Sequence, residues 1–494
     1  MRRLLTTLAV VVAIAMAAPV MAAPNINLGG SLSTTFQMVP ADNISSGISA
    51  TSDLRLKLSM ELAGGQQVQA FVGFAPIKYA PFFNDQPGEA DPAPGQMDQS
   101  NLTPRPIDLV NQLTIEKAYL ETTGPFLTGG QAVTTRFGDL AIDYSPYIAH
   151  ISKTDGVIEG AQVGGVHLGP VELAGFYGWT GLGLSEPAVS QPLPRVVNRG
   201  IFAKADIHGI GLEGAALKVG GDMALVGGAQ FAPMPGVDVA GTAAWDGANQ
   251  ALAVKAEAGI GAVPGLPGVS AKLGYRNFDP KFNPIYRDDS KDDAGNDINV
   301  VDLNAGKRGV NGEVATTISG VALVGNADWH EQRDNDRNLV GKRTAVGATA
   351  TTQFEGFDIK VGAKTMWSSV NAGYTILDRT ENADPEKETT VTLGLGRDIP
   401  IGPMVIDTRY DLTMSNIKPT VHELAASTAF DAPMLSGVGL SGNLRWADGQ
   451  TTYLGQAKYA APNGIEFIAS YNKGYPSSTR AQGFSLTAGM KVEF

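Results

Sequence analysis

The chain closes on Phe484-Ser485-Leu486-Thr487-Ala488-Gly489-Met490-Lys491-Val492-Glu493-Phe494. Phe484, Leu486, Ala488, Met490, Val492 and Phe494 share one parity, while Ser485, Thr487, Gly489, Lys491 and Glu493 share the other. Successive side chains of a strand point to opposite faces, so this period of two predicts a β-strand with one apolar and one polar side. Its length suits a tilted strand crossing a hydrocarbon layer about 30 Å thick.

The same alternation recurs upstream. Ile26, Leu28, Leu32, Phe36 and Met38 alternate with Asn27, Ser31, Ser33, Thr35 and Gln37, and Leu54, Leu56, Leu58, Met60 and Leu62 alternate with Asp53, Arg55, Lys57, Ser59 and Glu61. It returns near residues 269–275, 344–354, 357–367 and 404–414, where Asp407, Arg409 and Asp411 occupy the polar side. Many of these runs exceed the five or six residues usual for soluble strands. The expected fold is all-β: a single transmembrane, antiparallel, up-and-down barrel of about 24 strands, within a bracket of roughly 20 to 24.

Connector lengths orient this barrel. Short ones include Ala63-Gly64-Gly65, Gly169-Pro170 and Glu355-Gly356, and long ones include residues 76–108, 181–194, 279–304, 331–340 and 368–388. Short turns are expected on the periplasmic side and longer loops outside. A single strand over residues 201–231 would invert every later loop, so the reading places a turn at Gly220-Gly221-Asp222. Both termini are then periplasmic. Trp179, Trp245, Trp329, Trp367 and Trp446 all fall near the outer end of an outward-running strand, where an aromatic girdle belongs. Tyr144, Tyr275, Tyr410 and Phe36 are expected to extend the girdles.

Arg2 and Arg3, the apolar run 4–17 and the small residues near Ala22-Ala23 have the layout of a cleavable secretory signal. The expected organisation is a signal over residues 1–22, removed after Sec-dependent export, and a barrel over 23–494 with no separate plug domain before it. Zero cysteines exclude disulfide scaffolds and thiolate chemistry. A net charge of -12 argues against nucleic acid as a partner.

The terminal strand resembles the carboxyl-terminal signal of bacterial outer-membrane barrels, carried here by Phe484, Leu486, Met490, Val492 and Phe494. That resemblance implies residence in outer-membrane lipid after delivery by periplasmic chaperones to the barrel-assembly machinery. Glu116-Lys117-Ala118-Tyr119-Leu120-Glu121, followed by Gly129-Gly130-Gln131, is similar to a strand-turn-strand passage of porin-like barrels. Self-association into a homo-oligomer is left open.

Charges on the polar parity are the candidate pore-lining residues: Arg55, Lys57, Lys204, Asp206, Lys255, Glu257, Arg276, Lys360, Lys364, Asp407, Arg409, Asp411 and Arg445. Facing lipid at mid-membrane, a Lys or Arg would cost about 2 to 4 kcal/mol, which assigns them to the lumen. Mixed signs there imply mild selectivity, or simply ion pairs that brace the wall. Residues 76–108 carry Pro76, Pro81, Pro87, Pro92, Pro94, Pro104 and Pro106, and either narrow the pore or cap the outside. Asp288, Asp289, Asp292, Asp293 and Asp297 form a charge run with a weak calcium reading, at spacings unlike a calcium-binding loop.

His150, His167, His208, His330 and His422 lack metal-ligand spacing, and no nucleophile elbow or phosphate-cradling loop is present. An enzyme is not expected, and no cofactor is called for. The functional expectation is a porin-like channel for passive diffusion of small hydrophilic solutes through a polar-faced lumen. The alternatives are a structural or surface-layer-associated barrel and a substrate-specific transporter.

Overall fold

Several chain reversals take two residues, both left-handed: His208 and Gly209 have φ of 56° and 79°, and Ser319 and Gly320 have φ of 51° and 83°. This is type I′ geometry, whose twist matches that of the strands on either side and so propagates a hairpin without splaying it. Repeated between long alternating strands, it winds the chain into a barrel wall. The computed structural model describes residues 25–39, 47–62, 66–74, 77–79, 115–125, 132–151, 158–180, 196–263, 266, 268–288, 290, 299–370, 386–402, 404–430, 437–461, 464–476 and 483–493.

In chain order the strands are β1 (Asn25–Val39), β2 (Gly47–Leu62), β3 (Gln66–Phe74), β4 (Ile77–Tyr79), β5 (Ile115–Pro125), β6 (Ala132–Asp139), β7 (Ile142–Ser145), β8 (Ala149–Ile151) and β9 (Ile158–Leu168). There follow β10 (Val171–Thr180), β11 (Val197–Ile207), β12 (Ile210–Val219), β13 (Asp222–Met234), β14 (Val237–Asp246), β15 (Ala251–Ile260), β16 (Val269–Phe278), β17 (Lys307–Ile318) and β18 (Val321–Arg333). The last nine are β19 (Leu339–Phe354), β20 (Phe357–Val370), β21 (Glu386–Ile401), β22 (Met404–Ser415), β23 (Val421–Phe430), β24 (Val438–Ala447), β25 (Gln450–Ala460), β26 (Ile465–Lys473) and β27 (Gly483–Glu493).

Twenty-four of these form a closed antiparallel wall. β1 pairs with β27 from Ser31↔Glu493 to Met38↔Leu486, so the carboxyl-terminal strand closes the barrel against the first. Closure joins what would otherwise be two aggregation-prone sheet edges. β4 lies beside β2, and β7 and β8 form a separate two-stranded sheet. The turn expected at Gly220-Gly221-Asp222 is present, with Asp222 already the first residue of β13.

Directly opposed residues share a face, so the register sorts the wall into two sides. One ladder row runs Ile201, Ala216, Leu225, Trp245 and Leu252. The row behind it runs Phe202, Ala215, Val226, Ala244, Ala253 and Phe278. The first belongs to an exposed apolar belt that also holds Leu273, Val314, Val361, Leu424 and Val492. The belt is the convex, outer face.

The strand ends that the longer connections join, Phe74 and Ile115, Asp139 and Ile158, Thr180 and Val197, Phe278 and Lys307, and Val370 and Glu386, share one rim, whereas 169–170, 208–209, 319–320 and 355–356 turn tightly at the other. Trp179, Trp245, Trp329, Trp367 and Trp446 stand on the outer face toward the long-connection rim, each 37–42% exposed. Residues 1–24, which hold the expected signal, lie outside the described residues, as do residues 76 and 80–108 of the proline-rich stretch.

Candidate functional site

The lumen is where the polar parity of the strands converges. The register places all thirteen candidate charges on the face opposite the tryptophans. Arg55 and Lys57 alternate with Leu54, Leu56 and Leu58 of β2; Lys360 and Lys364 alternate with Val361 and Trp367 of β20. Lys204, Lys255 and Arg276 lie in one inward row with Glu172 and Glu213.

Many of these charges are engaged. Arg55 meets Asp53 at 2.8 Å, Lys255 meets Glu257 at 3.0 Å, Arg409 meets Asp411 at 2.6 Å and Arg445 meets Glu423 at 3.3 Å. Arg276 pairs with Asp328, whose other oxygen lies 2.6 Å from Nδ1 of His330. Asp206 serves the tight turn after β11, accepting the Gly209 amide at 3.1 Å. Lys57, Lys204, Lys360 and Lys364 form no ion pair among the described residues.

A second element occupies the lumen, and it corrects the expectation of a uniformly polar inner face. After β6 the chain turns inward, and Leu140, Ile142, Ile148 and Ile151 of the β7–β8 hairpin pack into one buried cluster with Phe176, Ala215, Leu217, Val226, Ala244, Ala253 and Phe278. Leu140 and Ile148 are fully buried, at 0% exposure. Those wall partners lie on the inner parity of β10 to β16 close to the long-connection rim, where both faces of the strand are apolar; two residues nearer the tight turns the same parity carries Lys204, Glu213, Lys255 and Arg276. The hairpin is the reason: strands covered on both sides need apolar residues on both. Each large aliphatic side chain so covered contributes about 1.5–3 kcal/mol.

Aromatic contacts fix the hairpin's seat. Tyr144 stacks on Phe202 at 5.0 Å, and Tyr147 lies 6.1 Å from Phe278. Tyr144 therefore belongs to the lumen core and not to a membrane girdle, because its ring is buried against the inner wall. Tyr275 and Tyr410 do share the outer face with Leu273 and Leu412 respectively. The side chain of Phe36 lies outside the described residues.

The connection after β16 folds onto the same hairpin instead of standing free as a solvated outer loop. Phe282, Tyr286 and Val301 are buried in the shared cluster, and Phe282 meets Phe278 edge to face at 6.4 Å. His150 donates its amide to Tyr286 O at 2.9 Å, and Asp288 donates its amide to Pro146 O at 2.9 Å. His150 Nδ1 lies 3.2 Å from Asp143 and its Nε2 lies 3.7 Å from Asp288. The connection is tied down by Asp246, which accepts the Asn283 amide at 3.2 Å, by Arg337, which donates to Asp279 at 2.6 Å, and by an Arg287–Asp302 pair.

Burial pushes the hydroxyls of Tyr144, Tyr147 and Tyr286 up to about 12, because the phenolate would lose its hydration. Burial also opposes the charge of Asp288, but hydrogen bonds from Ser290, with His150 and Arg287 nearby, outweigh it and hold that carboxyl below its usual range. The other four residues of the weak calcium reading, Asp289, Asp292, Asp293 and Asp297, lie outside the described residues.

Sequence reasoning missed this plug. Its signals were an apolar run, Leu140-Ala141-Ile142, within a rim connection, and the loss of polar parity at Ala215, Leu217, Ala224 and Val226. The turn needed near Gly220 pointed to the same region. A further inner cluster also went unnoticed: Arg136 meets Glu121 at 2.5 Å and lies 4.1 Å over the Tyr119 ring, which stacks on Phe71.

At the chain's closure, Phe484, Leu486, Met490 and Val492 project outward at 37–41% exposure, while Ser485 and Ser470 share an inward hydrogen bond of 2.6 Å. Phe494 lies outside the described residues. A closed wall, an apolar outer belt and a charged inner face together give the chain the architecture of porin-like outer-membrane β-barrels.

No family model and no curated protein matches the chain. Among solved structures it is similar to the translocation pore of the P pilus usher PapC, at 12% identity over 95% of this chain and 99% of that one, with a TM-score of 0.40. It is similar as well to the siderophore receptor PirA of Pseudomonas aeruginosa, at 9% identity over 95% and 80%, TM-score 0.40. OpdK of the same organism, solved with vanillate, shows 12% identity over 95% and 99%, TM-score 0.30. These likenesses are ones of barrel architecture alone.

Proposed function

We propose that this protein is an outer-membrane channel through which small hydrophilic solutes diffuse passively. The observation that carries this reading is the partition of side chains across a closed wall. Apolar residues fill the outer face, while charges such as Lys360, Lys364, Arg409 and Asp411 line an inner face that the β7–β8 hairpin leaves uncovered. Twenty-four strands enclose more space than wall side chains can fill. The hairpin and the connection after β16 take up the lumen beside β10 to β16 and leave the remainder as the solute path. Paired inner charges create transverse fields and a mild ion preference, with rate set by the free cross-section.

On this reading residues 1–22 are removed after Sec-dependent export, periplasmic chaperones and the barrel-assembly machinery deliver residues 23–494 into outer-membrane lipid, and the strand ending at Phe494 is the assembly signal. Purified full-length protein in a planar bilayer tests the proposal. Stepwise conductance that scales with salt concentration is expected. Persistent silence from folded, heat-modifiable protein would favour a structural barrel instead.

A further inference from the structure

Arg199 of β11 and Lys218 of β12 stand directly opposite one another. Their row runs Tyr177, Arg199, Lys218 and Met223, on the same face as exposed Trp179 and Ile201. Both cations therefore face outward. Like charges directly opposed across a sheet destabilise it, and a cation on the lipid face carries a further solvation cost. Neither side chain has a hydrogen bond or ion pair among the described residues. Other outward cations are accommodated: Lys342 lies 3.7 Å from Glu331, Lys387 lies 5.9 Å over the Trp367 ring and Lys473 lies 5.6 Å over the Tyr453 ring.

A second, independent feature adjoins the pair. The next outward pair along the same strands, Ile201↔Ala216, lies about 7 Å further from the rim. There begins a depression of about 510 Å³, floored by Gly214, Ala216 and Gly227 and walled by Ile201, Leu225 and Trp245. Small residues on the outer parity of β12 and β13 make the hollow. The hairpin packed behind those strands supports its floor, since Ala215 and Val226 on the inner parity belong to the buried cluster.

We propose that this surface binds a phosphorylated anionic lipid, its phosphate bridging Arg199 and Lys218 and one acyl chain lying in the groove. The order of chemistry argues for an amphiphile: paired cations at the level of the tryptophans, where headgroups sit, followed by an apolar trough running toward the mid-plane. A phosphate between the two cations converts their repulsion into two charge-assisted hydrogen bonds. This site rests on the reading that the barrel spans a membrane.

Native mass spectrometry of the full-length protein, released from detergent with dioleoylphosphatidic acid or dioleoylphosphatidylcholine, tests it. The wild type is expected to retain phosphatidic acid over phosphatidylcholine by roughly tenfold. Arg199→Gln with Lys218→Gln should bring the two lipids to parity, and Ala216→Phe, which fills the trough, should weaken both. Folding of each variant is checked by heat-modifiable migration.

Equal retention by wild type and the double glutamine variant overturns the site. So does complete displacement of the lipid by inorganic phosphate, which would make this an anion site only, or a lipid-free dimer abolished by Ala216→Phe, which would make it a contact between copies of the chain. Wild-type protein that inserts into phosphatidylcholine vesicles but shows no preference removes the lipid site alone. Failure of the wild type to insert into any vesicle removes the membrane reading beneath it.

Discussion

The wall from β10 to β16 and the wall from β19 to β26 are built from the same hairpins and both carry inner charges, yet the first also carries an apolar inner row that the β7–β8 hairpin covers. In the first, Phe202, Ala215, Val226, Ala244, Ala253 and Phe278 form a continuous inward row of small and aromatic residues beneath the β7–β8 hairpin. In the second, the corresponding faces carry Lys360, Lys364, Asp407, Arg409, Asp411, Glu423 and Arg445. What differs is the solvent each face meets. A face covered by protein loses water and must be apolar or fully paired, whereas a face left to water keeps its charges at little cost. The part of the first region under the hairpin is a packed core inside a barrel, whereas inner charges of the second, such as Lys360, Lys364 and Arg409, stay exposed among the described residues.

The contrast is broken most completely by removing the cover. Replacing residues 141–151 with a short Gly-Ser link should produce the largest rise in single-channel conductance, with the barrel still heat-modifiable. Ile148→Asp is a milder form of the same experiment. Ile148 is fully buried, so a carboxyl there must be protonated or escape to water; even the neutral, unpaired form costs about 2–7 kcal/mol, which should unseat the hairpin. Conductance fluctuating between two levels is the expected record; an unchanged single level would show that the hairpin does not limit flow.

Phe278→Ala should come next. The ring is 2% exposed and touches both Tyr147 and Phe282, so its loss is expected to cost about 3–5 kcal/mol of stability, seen as a lower Tm or earlier denaturant midpoint. The same truncation at Lys360, in the open region, should leave stability within about 0.5 kcal/mol of wild type.

Alkaline pH offers a chemical route to the same end. The Tyr147 and Tyr286 hydroxyls are raised from 10.0 to about 12 by burial. A group whose folded value is raised stabilises the fold fully below pH 10 and loses that contribution as pH rises through 10 to 12. Each is worth on the order of 2–3 kcal/mol, so the hairpin should loosen in that window and conductance should rise. Because Tyr144 is raised in the same way, the variant that removes the titration carries Tyr144→Phe, Tyr147→Phe and Tyr286→Phe together and should hold the conductance flat across it; a rise of the same size in that triple variant would assign the effect to other groups.

The smallest effect belongs to the exposed inner charges. Arg409 is 61% exposed and its pair with Asp411 is screened, so Arg409→Ala should change stability by no more than about 0.5 kcal/mol. The reversal potential in a salt gradient should nevertheless shift toward cation preference, because one inward positive charge is lost. A potential unmoved by this change would place the solute path elsewhere in the lumen.

How much of this was legible in sequence follows from the range over which each signal acts. Parity in β1, β2, β22 and β27 was readable because lipid on one side and water on the other impose a strict period of two. The strand count was readable because connectors alternate in length. The candidate charges on the inner face were identifiable by type, and partners two residues along the same strand, as in Arg409–Asp411, share their parity, but cross-strand partners were not legible: Arg445 meets Glu423 and Arg276 meets Asp328 only because register brings separate strands together. The proline-rich stretch drew attention as a possible occlusion, and its residues 80–108 lie outside the described ones; among the described residues the lumen holds the hairpin after β6, whose apolar residues resembled an ordinary strand, and the connection after β16.

Local pattern was enough to specify the class of wall, its closure and which parity faces lipid, since those depend on neighbours two residues apart and on a solvent that is uniform along the chain. What the inner face meets was settled only in the folded molecule. Whether Ala215, Val226 and Ala244 look onto water or onto Ile148 depends on chain segments distant in sequence, and the hydrophobic effect responds to area removed from water, whichever segment does the covering.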